Sequence, residues 1–142
     1  MEGLITDNLN RIPVLLVDDS SAFLESTMKT LKRNPVFEIV DVAFNAEDAI
    51  TAAEKHQPMV ILLDGEMPGV SRLEITQTLT EKVPGTKVII LTLFNNYDYC
   101  RSVDLAGVAA FIAKSQIVRD LIPTIMKSFM PDSPIKDLNG QK

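Results

Sequence analysis

Charged and hydroxyl side chains stand at the ends of short apolar runs in four separate parts of the sequence: Asp18 with Asp19, Asp64, Thr92 and Lys114. If folding gathers them, the three carboxylates repel one another by about 4 kcal/mol per pair at ~4 Å and an effective dielectric of ~20. A divalent cation would offset that repulsion, and oxygen ligands without His or Cys favour Mg²⁺, or Mn²⁺, over zinc. An aspartate beside such a cation, an ammonium and a hydroxyl suits phosphoryl transfer to a carboxylate, because the positive groups neutralise the phosphoryl oxygens.

The apolar runs have the length and composition of buried parallel strands. Each run is short and is bounded by Asp, Pro or Gly. The runs are Val14–Val17, Ile39–Ala43, Met59–Leu63, Val88–Leu93 and Val108–Ile112. We therefore expect five strands.

Stretches with helical periodicity separate the predicted strands. Their apolar faces contain Leu24, Met28 and Leu31, then Ala46, Ala49, Ile50 and Ala53, then Ile75, Leu79 and Val83. Asn45 and Asp48 form a predicted capping pair, and Gly107 suits a left-handed stop after the fourth helix. The last helix includes Pro123, which is tolerated best in a first turn, so we expect that helix to begin near residues 118–121.

Strands that alternate with helices indicate a doubly wound α/β fold, because parallel strands need right-handed helical crossovers. Ligand sites in such sheets lie beyond the carboxyl ends of the strands, which is where the reactive residues fall. A chain of 142 residues has the size of one domain. We expect that domain over residues 11–130, with a mobile lead-in at 1–10 and a polar tail at 131–142.

Composition and charge argue against several other classes of protein. The apolar runs are far shorter than the roughly 18 to 20 residues that cross a bilayer, so no membrane association is expected. A net charge of −5 and scattered Lys and Arg residues disfavour direct nucleic-acid binding. The single cysteine, Cys100, cannot form an internal disulfide, so we expect a cytoplasmic location.

Each candidate site residue also has an ordinary structural explanation. Asp18 and Asp19 could cap the helix that starts near Ser20, and Asp64 lies in a sequence rich in turn-forming residues. A lone threonine or lysine at a strand end is common. The joint placement of these residues at the ends of four strands nevertheless favours one shared site.

Four segments of the sequence resemble the motifs of bacterial response-regulator receiver domains. They are Val14–Ser20 (VLLVDDS), Leu62–Gly69 (LLDGEMPG), Ile90–Thr92 (ILT) and Ala110–Ser115 (AFIAKS). Their order and separations also match the family, and the likeness covers about residues 12–129. The resemblance implies a flavodoxin-like (βα)5 sandwich with a parallel sheet of order 2-1-3-4-5.

Position by position, the resemblance implies a phosphorylation site and a metal site. Asp64 would be the phosphoacceptor. Mg²⁺ would be bound by Asp64 and directly by Asp19, by Asp18 largely through water, and by the backbone carbonyl of Glu66.

The same resemblance implies a switch. Thr92 and Lys114 would bind the phosphoryl oxygens, and Phe111 stands where the family keeps its switch aromatic. Phosphorylation would draw Thr92 towards the new group and vacate space that Phe111 fills by swinging inward. This would alter the surface formed by the fourth predicted helix, the fifth strand and the last helix, called here the helix 4–strand 5–helix 5 surface. The chain would catalyse only its own phosphoryl transfer and its own dephosphorylation, and would not otherwise be an enzyme.

The implied phosphoryl donor is a phosphohistidine on a sensor histidine kinase or a phosphotransfer protein. A homodimer through the helix 4–strand 5–helix 5 surface is a further expectation. Ser115 replaces the proline that follows the lysine in many receivers, so we expect no cis peptide there. Together with the segment at 121–125, that replacement favours receivers that precede a LuxR-type DNA-binding module, and DNA would be reached only through such an output domain.

Two positions depart from the family's pattern. Ser71 and Arg72 replace the usual Asp-Gly, which leaves the turn before the third helix open. Glu66 is more acidic than many residues at its position, and it could lengthen the phosphorylated lifetime by repelling an attacking water molecule.

Three alternatives remain open from the sequence. A haloacid-dehalogenase-like phosphatase also uses an aspartate and Mg²⁺, but it needs Asp-x-Asp after its first strand, where this chain has Asp18-Asp19. A flavodoxin-like cofactor domain needs a Ser/Thr/Gly-rich phosphate loop after the first strand. A degenerate receiver would signal without phosphate, although each expected acidic, hydroxyl and lysine position is filled.

Overall fold

A computed structural model describes residues 11–67, 72–93 and 107–129 of the chain. The strands are β1 Ile12–Val17, β2 Phe37–Ala43, β3 Val60–Asp64, β4 Lys87–Thr92 and β5 Ala110–Ala113. The helices are α1 Ser21–Leu31, α2 Ala46–His56, α3 Arg72–Lys82 and a C-terminal helix, Ile117–Ser128, which follows a 3₁₀ turn at Lys114–Gln116. All five strands lie close to their predicted positions.

The five strands form one parallel sheet in the order β2-β1-β3-β4-β5. The chain starts at β1, adds β2 on one side and then passes to β3 on the other, so the winding direction reverses between β1 and β3. The predicted flavodoxin-like, doubly wound fold is confirmed. The fourth predicted helix falls on residues 94–106 and lies outside the described residues.

Both faces of the sheet are covered, which explains why the central strands β1, β3 and β4 are continuous apolar runs. Leu15 and Val17 of β1 pack in the core layer shared with α2 and α3. Val14 and Leu16, which point the other way, pack in the layer shared with α1 and the C-terminal helix. Because alternate residues serve opposite layers, no position in the middle of β1 can be polar without being buried unpaired.

The predicted helix ends are also present. Asn45 Oδ1 accepts the backbone N–H of Asp48 at 2.8 Å, and Asn45 Nδ2 donates to Asp48 Oδ2 at 3.1 Å, so this capping pair is confirmed. The cap of α1 is Ser20, whose hydroxyl accepts the backbone N–H of Phe23 at 3.3 Å. Gly107 has φ of +94°, the left-handed conformation expected of it.

The last helix begins one residue before its expected start, but Pro123 does not lie in its first turn as expected. The 3₁₀ turn leads directly into a helix that begins at Ile117, so Pro123 lies in its second turn rather than its first. A proline there cannot donate to the carbonyl of Arg119. Pro123 and Arg119 are both exposed, so water can solvate that carbonyl and the helix tolerates the missing bond.

Some expectations fall on residues that the structure does not describe. These are the lead-in at 1–10, the turn containing Ser71, and the polar tail at 131–142, which remain predictions. Among the described residues no cis peptide bond occurs, so the expectation for Ser115 is confirmed.

A glycine lets the ends of β3 and β4 approach closely beside the expected site. The backbone N–H of Gly65 donates to the carbonyl of Leu91 at 2.7 Å. A Cβ on Gly65 would lie 3.1 Å from Ile90 Cγ2, 3.1 Å from the Leu91 carbonyl oxygen and 3.4 Å from Thr92 Cβ. A side chain at this position would therefore be crowded, and the Leu91 carbonyl oxygen, which is part of the β4 backbone, cannot rotate away from it.

We expect Gly65→Ala to lower the free energy of unfolding by about 1 to 3 kcal/mol, the usual cost of overpacking. Gly85→Ala is the matched control, because a Cβ there meets nothing within 4 Å. Urea unfolding of both variants measures the difference. Equal stability of the two variants would contradict the close approach of β3 and β4.

Candidate functional site

The strand register places the predicted site residues at one edge of the sheet. Val17 pairs with Leu63, so Asp18 and Asp64, which follow them, lie side by side. Asp64 pairs with Leu91, the residue before Thr92. Since β5 ends at Ala113, the register partner of Thr92, Lys114 enters the same edge from the other side.

Three carboxylates meet at this edge. Asp18, Asp19 and Asp64 each offer an oxygen atom, and the three atoms lie within 4.8 Å of one another. Asp18 and Asp64 are each only 3% exposed, whereas Asp19 is exposed. An all-oxygen set of this kind suits a hard divalent cation such as Mg²⁺.

The surroundings of Asp18 disfavour its charged form. Its Oδ1 accepts the backbone N–H of Ser20 at 2.8 Å, but its buried Oδ2 has no hydrogen-bond partner among the described residues. Burial, and then the neighbouring charge of Asp64, raise the pKa of Asp18 to about 6 despite the Ser20 hydrogen bond. A buried carboxylate oxygen without a donor fits a cation or a cation-bound water molecule.

Lys114 supplies a positive charge to the acidic edge. Its Nζ donates to Asp64 Oδ1 at 2.7 Å and lies 3.5 Å from Glu66 Oε1 and 3.9 Å from Asp18 Oδ2. The Phe23 ring supports it from α1, with its centroid 4.6 Å from Nζ. Burial opposes the charge of Lys114, but the Asp64 hydrogen bond and the surrounding carboxylates outweigh burial and raise the pKa of Lys114.

The side chain of Glu66 turns into the site. Its backbone N–H donates to Asp64 Oδ1 at 2.9 Å, which helps to orient that carboxylate. Its Oε2 accepts the Thr92 hydroxyl at 2.8 Å and the backbone N–H of Leu93 at 3.0 Å. The Glu66 carboxylate thus links the end of β3 to the end of β4.

The structure brings most of the predicted site residues together, and Phe111 is the exception. Asp18, Asp19, Asp64, Glu66, Thr92 and Lys114 all lie at the carboxyl edge. Phe111 is half-buried on β5 and packs against the core layer under α2 and α3.

Sequence reasoning missed two contacts in this region. No sequence motif predicts the contact between the Phe23 ring and the Lys114 ammonium, because an aromatic residue in the first turn of α1 usually packs in the hydrophobic core. The sequence interpretation also considered Glu66 only through its backbone carbonyl and its effect on water, not through its contact with Thr92.

Comparison with known proteins agrees with this geometry. Residues 14–126 match the family described as the response regulator receiver domain. The chain belongs to that receiver family. Receiver domains receive signals in two-component systems, where they interact with histidine kinases or phosphotransfer proteins and bind Mg²⁺ at an acidic pocket.

Several relatives of this receiver domain are transcriptional regulators. The chain is 31% identical over 118 residues to the transcriptional regulatory protein DegU of Brevibacillus brevis, covering 83% of this chain and 50% of DegU. It is 28% identical over 123 residues to the oxygen regulatory protein NreC of Staphylococcus carnosus, covering 86% and 57% of the two chains. The receiver domain thus spans about half the length of these two curated relatives.

Solved structures support the same assignment. A DNA-binding response regulator of the LuxR family from Staphylococcus aureus superposes with a TM-score of 0.75 at 29% identity, covering 82% of this chain and 98% of that chain. The expected likeness to LuxR-type receivers is therefore confirmed. No helix in the described ranges of the receiver domain is long and apolar enough to span a membrane.

We expect Asp18→Asn to stabilise the metal-free receiver domain at neutral pH by up to about 3 kcal/mol. A pKa raised in the folded state means that protonated Asp18 favours folding below about pH 4 and that this stability is lost as the pH rises through about 6. The gap between variant and wild type should therefore widen between about pH 4 and pH 6 and then level off. Unfolding of both proteins in the presence of a chelator measures the difference in their free energies of unfolding. A difference that narrows between about pH 4 and pH 6 would contradict the raised pKa of Asp18.

Proposed function

We propose that this receiver domain accepts a phosphoryl group onto Asp64 from a phosphohistidine of a sensor histidine kinase or phosphotransfer protein. The observation that carries the proposal is the 2.7 Å contact between Lys114 Nζ and Asp64 Oδ1 inside a cluster of acids. A lone lysine–aspartate pair would be a structural ion pair. With Asp18 and Asp19 beside it, the pair leaves an excess of negative charge that a further cation would balance.

The residues fit Mg²⁺ as that cation, with Mn²⁺ as an alternative. Asp18, Asp19 and Asp64 would bind it together with the backbone carbonyl of Glu66. The buried Asp18 Oδ2, which lacks a hydrogen-bond partner, supports this assignment. When bound, the ion supplies positive charge to the phosphoryl oxygens.

Asp64 supplies the nucleophile in this proposal. Its Oδ1 is oriented by the Lys114 ammonium and the backbone N–H of Glu66, so we assign the in-line attack on phosphorus to Oδ2. A phosphorus–oxygen bond forms, the phosphorus–nitrogen bond of the donor breaks, and the imidazole leaves with the electron pair. Lys114 and the Thr92 hydroxyl then bind oxygens of the acyl phosphate, which persists until water hydrolyses it.

The same site would drive a conformational switch. The phosphoryl group adds charge and acceptor oxygens beside Thr92, which pairs with Ala113 across β4 and β5. Phe111, two residues before Ala113 on β5, would swing inward into the space that Thr92 vacates and would alter the helix 4–strand 5–helix 5 surface. To convert a 1:99 ratio of switched to resting conformation into 99:1, the phosphoryl group would have to stabilise the switched conformation over the resting one by about 5.5 kcal/mol.

The proposed output lies outside this chain. The matched segment covers only about half of each curated relative described above, so we propose that DNA is reached only through a LuxR-type output domain and not by this segment. Homodimerisation through the helix 4–strand 5–helix 5 surface would couple the switch to that output. The single cysteine keeps the cytoplasm as the expected compartment.

We expect acetyl phosphate with Mg²⁺ to add one phosphoryl group to the wild-type chain and none to Asp64→Ala. Intact-mass analysis measures the addition directly. Glu47→Ala, which removes an exposed acid from α2, is the control and should be modified like wild type. Modification of Asp64→Ala at the wild-type level would show that the acceptor is a different residue.

We expect Asp19→Asn to weaken Mg²⁺ binding by at least roughly tenfold, since even outer-shell changes in metal sites typically cost 10- to 100-fold. Titration calorimetry on the unphosphorylated protein measures the affinity without relying on phosphoryl transfer. Glu47→Gln removes one negative charge from an exposed position and controls for net charge. If both variants bound Mg²⁺ equally well, Asp19 would not be a ligand.

A further inference from the structure

Glu66 makes side-chain contacts that its proposed role as a backbone-carbonyl ligand does not require. Its Oε2 accepts hydrogen bonds from the Thr92 hydroxyl at 2.8 Å and from the Leu93 backbone N–H at 3.0 Å. Its Oε1 lies 3.5 Å from the Lys114 ammonium. One carboxylate therefore engages a hydroxyl, a backbone amide and an ammonium, all beside Asp64.

This set of donors is an oxyanion-binding set. The hydroxyl and the backbone N–H meet at one carboxylate oxygen and the ammonium lies beside the other, and such a set would bind phosphoryl oxygens as readily as carboxylate oxygens. The Thr92 hydroxyl has one hydrogen and the Leu93 amide has one hydrogen. Neither donor can direct that hydrogen at Glu66 and at a phosphoryl oxygen simultaneously.

We propose that the Glu66 carboxylate is an internal competitor for the phosphoryl-binding donors and is displaced when Asp64 is modified. The identity of the incoming group rests on the proposed function. The Glu66 side chain is 20% exposed, although its Oε1 is buried, and in this proposal it turns towards solvent when a phosphoryl group arrives. Its negative charge also opposes the entry of a second anion beside Asp64.

This competition differs from an effect on hydrolysis. A carboxylate that repels an attacking water molecule acts after the acyl phosphate has formed and changes its lifetime. A carboxylate that accepts the hydrogen bonds of Thr92 and Leu93 acts before the acyl phosphate forms, because those bonds must break first, and it thereby raises the free energy of loading the site. The two effects separate in an equilibrium with a phosphoryl analogue that does not hydrolyse.

The experiment measures the affinity of beryllofluoride, in saturating Mg²⁺, for wild type, Glu66→Ala and Glu66→Gln. We expect Glu66→Ala to bind about tenfold more tightly than wild type, a change equivalent to roughly 1.4 kcal/mol. Glu66→Gln should lie between them, because its amide oxygen can still accept from Thr92 but carries no charge. Glu47→Ala controls for the loss of one acid and should bind like wild type.

A second readout reports the contact itself. In the metal-free protein without beryllofluoride, the Leu93 amide resonance should move upfield in Glu66→Ala, because that amide loses its carboxylate acceptor. The Mg²⁺ affinity of each variant is measured separately, so that an altered metal site is not mistaken for relief of competition.

The outcomes distinguish this proposal from the proposed function. If wild type binds beryllofluoride and Glu66→Ala binds it no more tightly, the competition is refuted while phosphorylation of Asp64 stands. An unchanged Leu93 amide in Glu66→Ala would refute the contact on which the competition depends. If neither wild type nor any variant binds beryllofluoride, the phosphoryl-binding function itself fails, and the competition fails with it.

Discussion

The structure depends on one ammonium held among carboxylates. Lys114 reaches from the end of β5 to Asp64, Glu66 and Asp18, and it is the group that joins the last strand to the acidic edge formed by β1 and β3. The carboxylates would otherwise repel one another across an edge that burial makes poorly screened. Because a buried charge must be paired to be tolerated, the position of this side chain constrains the arrangement of the whole carboxyl edge.

The sheet makes this concentration of charge possible. The interiors of the three central strands, β1, β3 and β4, are apolar on both faces and covered, so they supply much of the stability of the fold, and the polar groups of these strands lie at their ends. The register of the parallel strands then brings those ends together. Asp18 lies beside Asp64, and Asp64 pairs with Leu91, the residue before Thr92. The fold thereby places the reactive groups at the carboxyl ends of the strands and not within the apolar core layers.

The unmodified site is held together but not electrostatically relaxed. The pKa of Asp18 is raised by burial and by Asp64, and its Oδ2 has no donor in the described part of the chain. Glu66 meanwhile places its carboxylate on donors that would serve a larger anion. The uncompensated charge of Asp18 costs stability in the resting protein and would be relieved by a bound cation. The Glu66 contacts instead stabilise the resting site, and in our proposal they break when a phosphoryl group is bound.

The sequence alone determined which residues become strands and which of them end in chemically useful groups, because periodicity and turn chemistry are local properties. The Asn45 cap, the left-handed Gly107 and the placement of Asp18, Asp64, Thr92 and Lys114 at strand ends were all predictable in this way, and the strand order followed from resemblance to receivers. Only the tertiary structure decided that the last helix begins at Ile117, that Phe23 supports Lys114 and that Glu66 turns towards Thr92. Thr92 and Lys114 contact partners 26 and 50 residues away along the chain. The direction of such side chains is set by neighbours that folding brings together, and no local pattern records it.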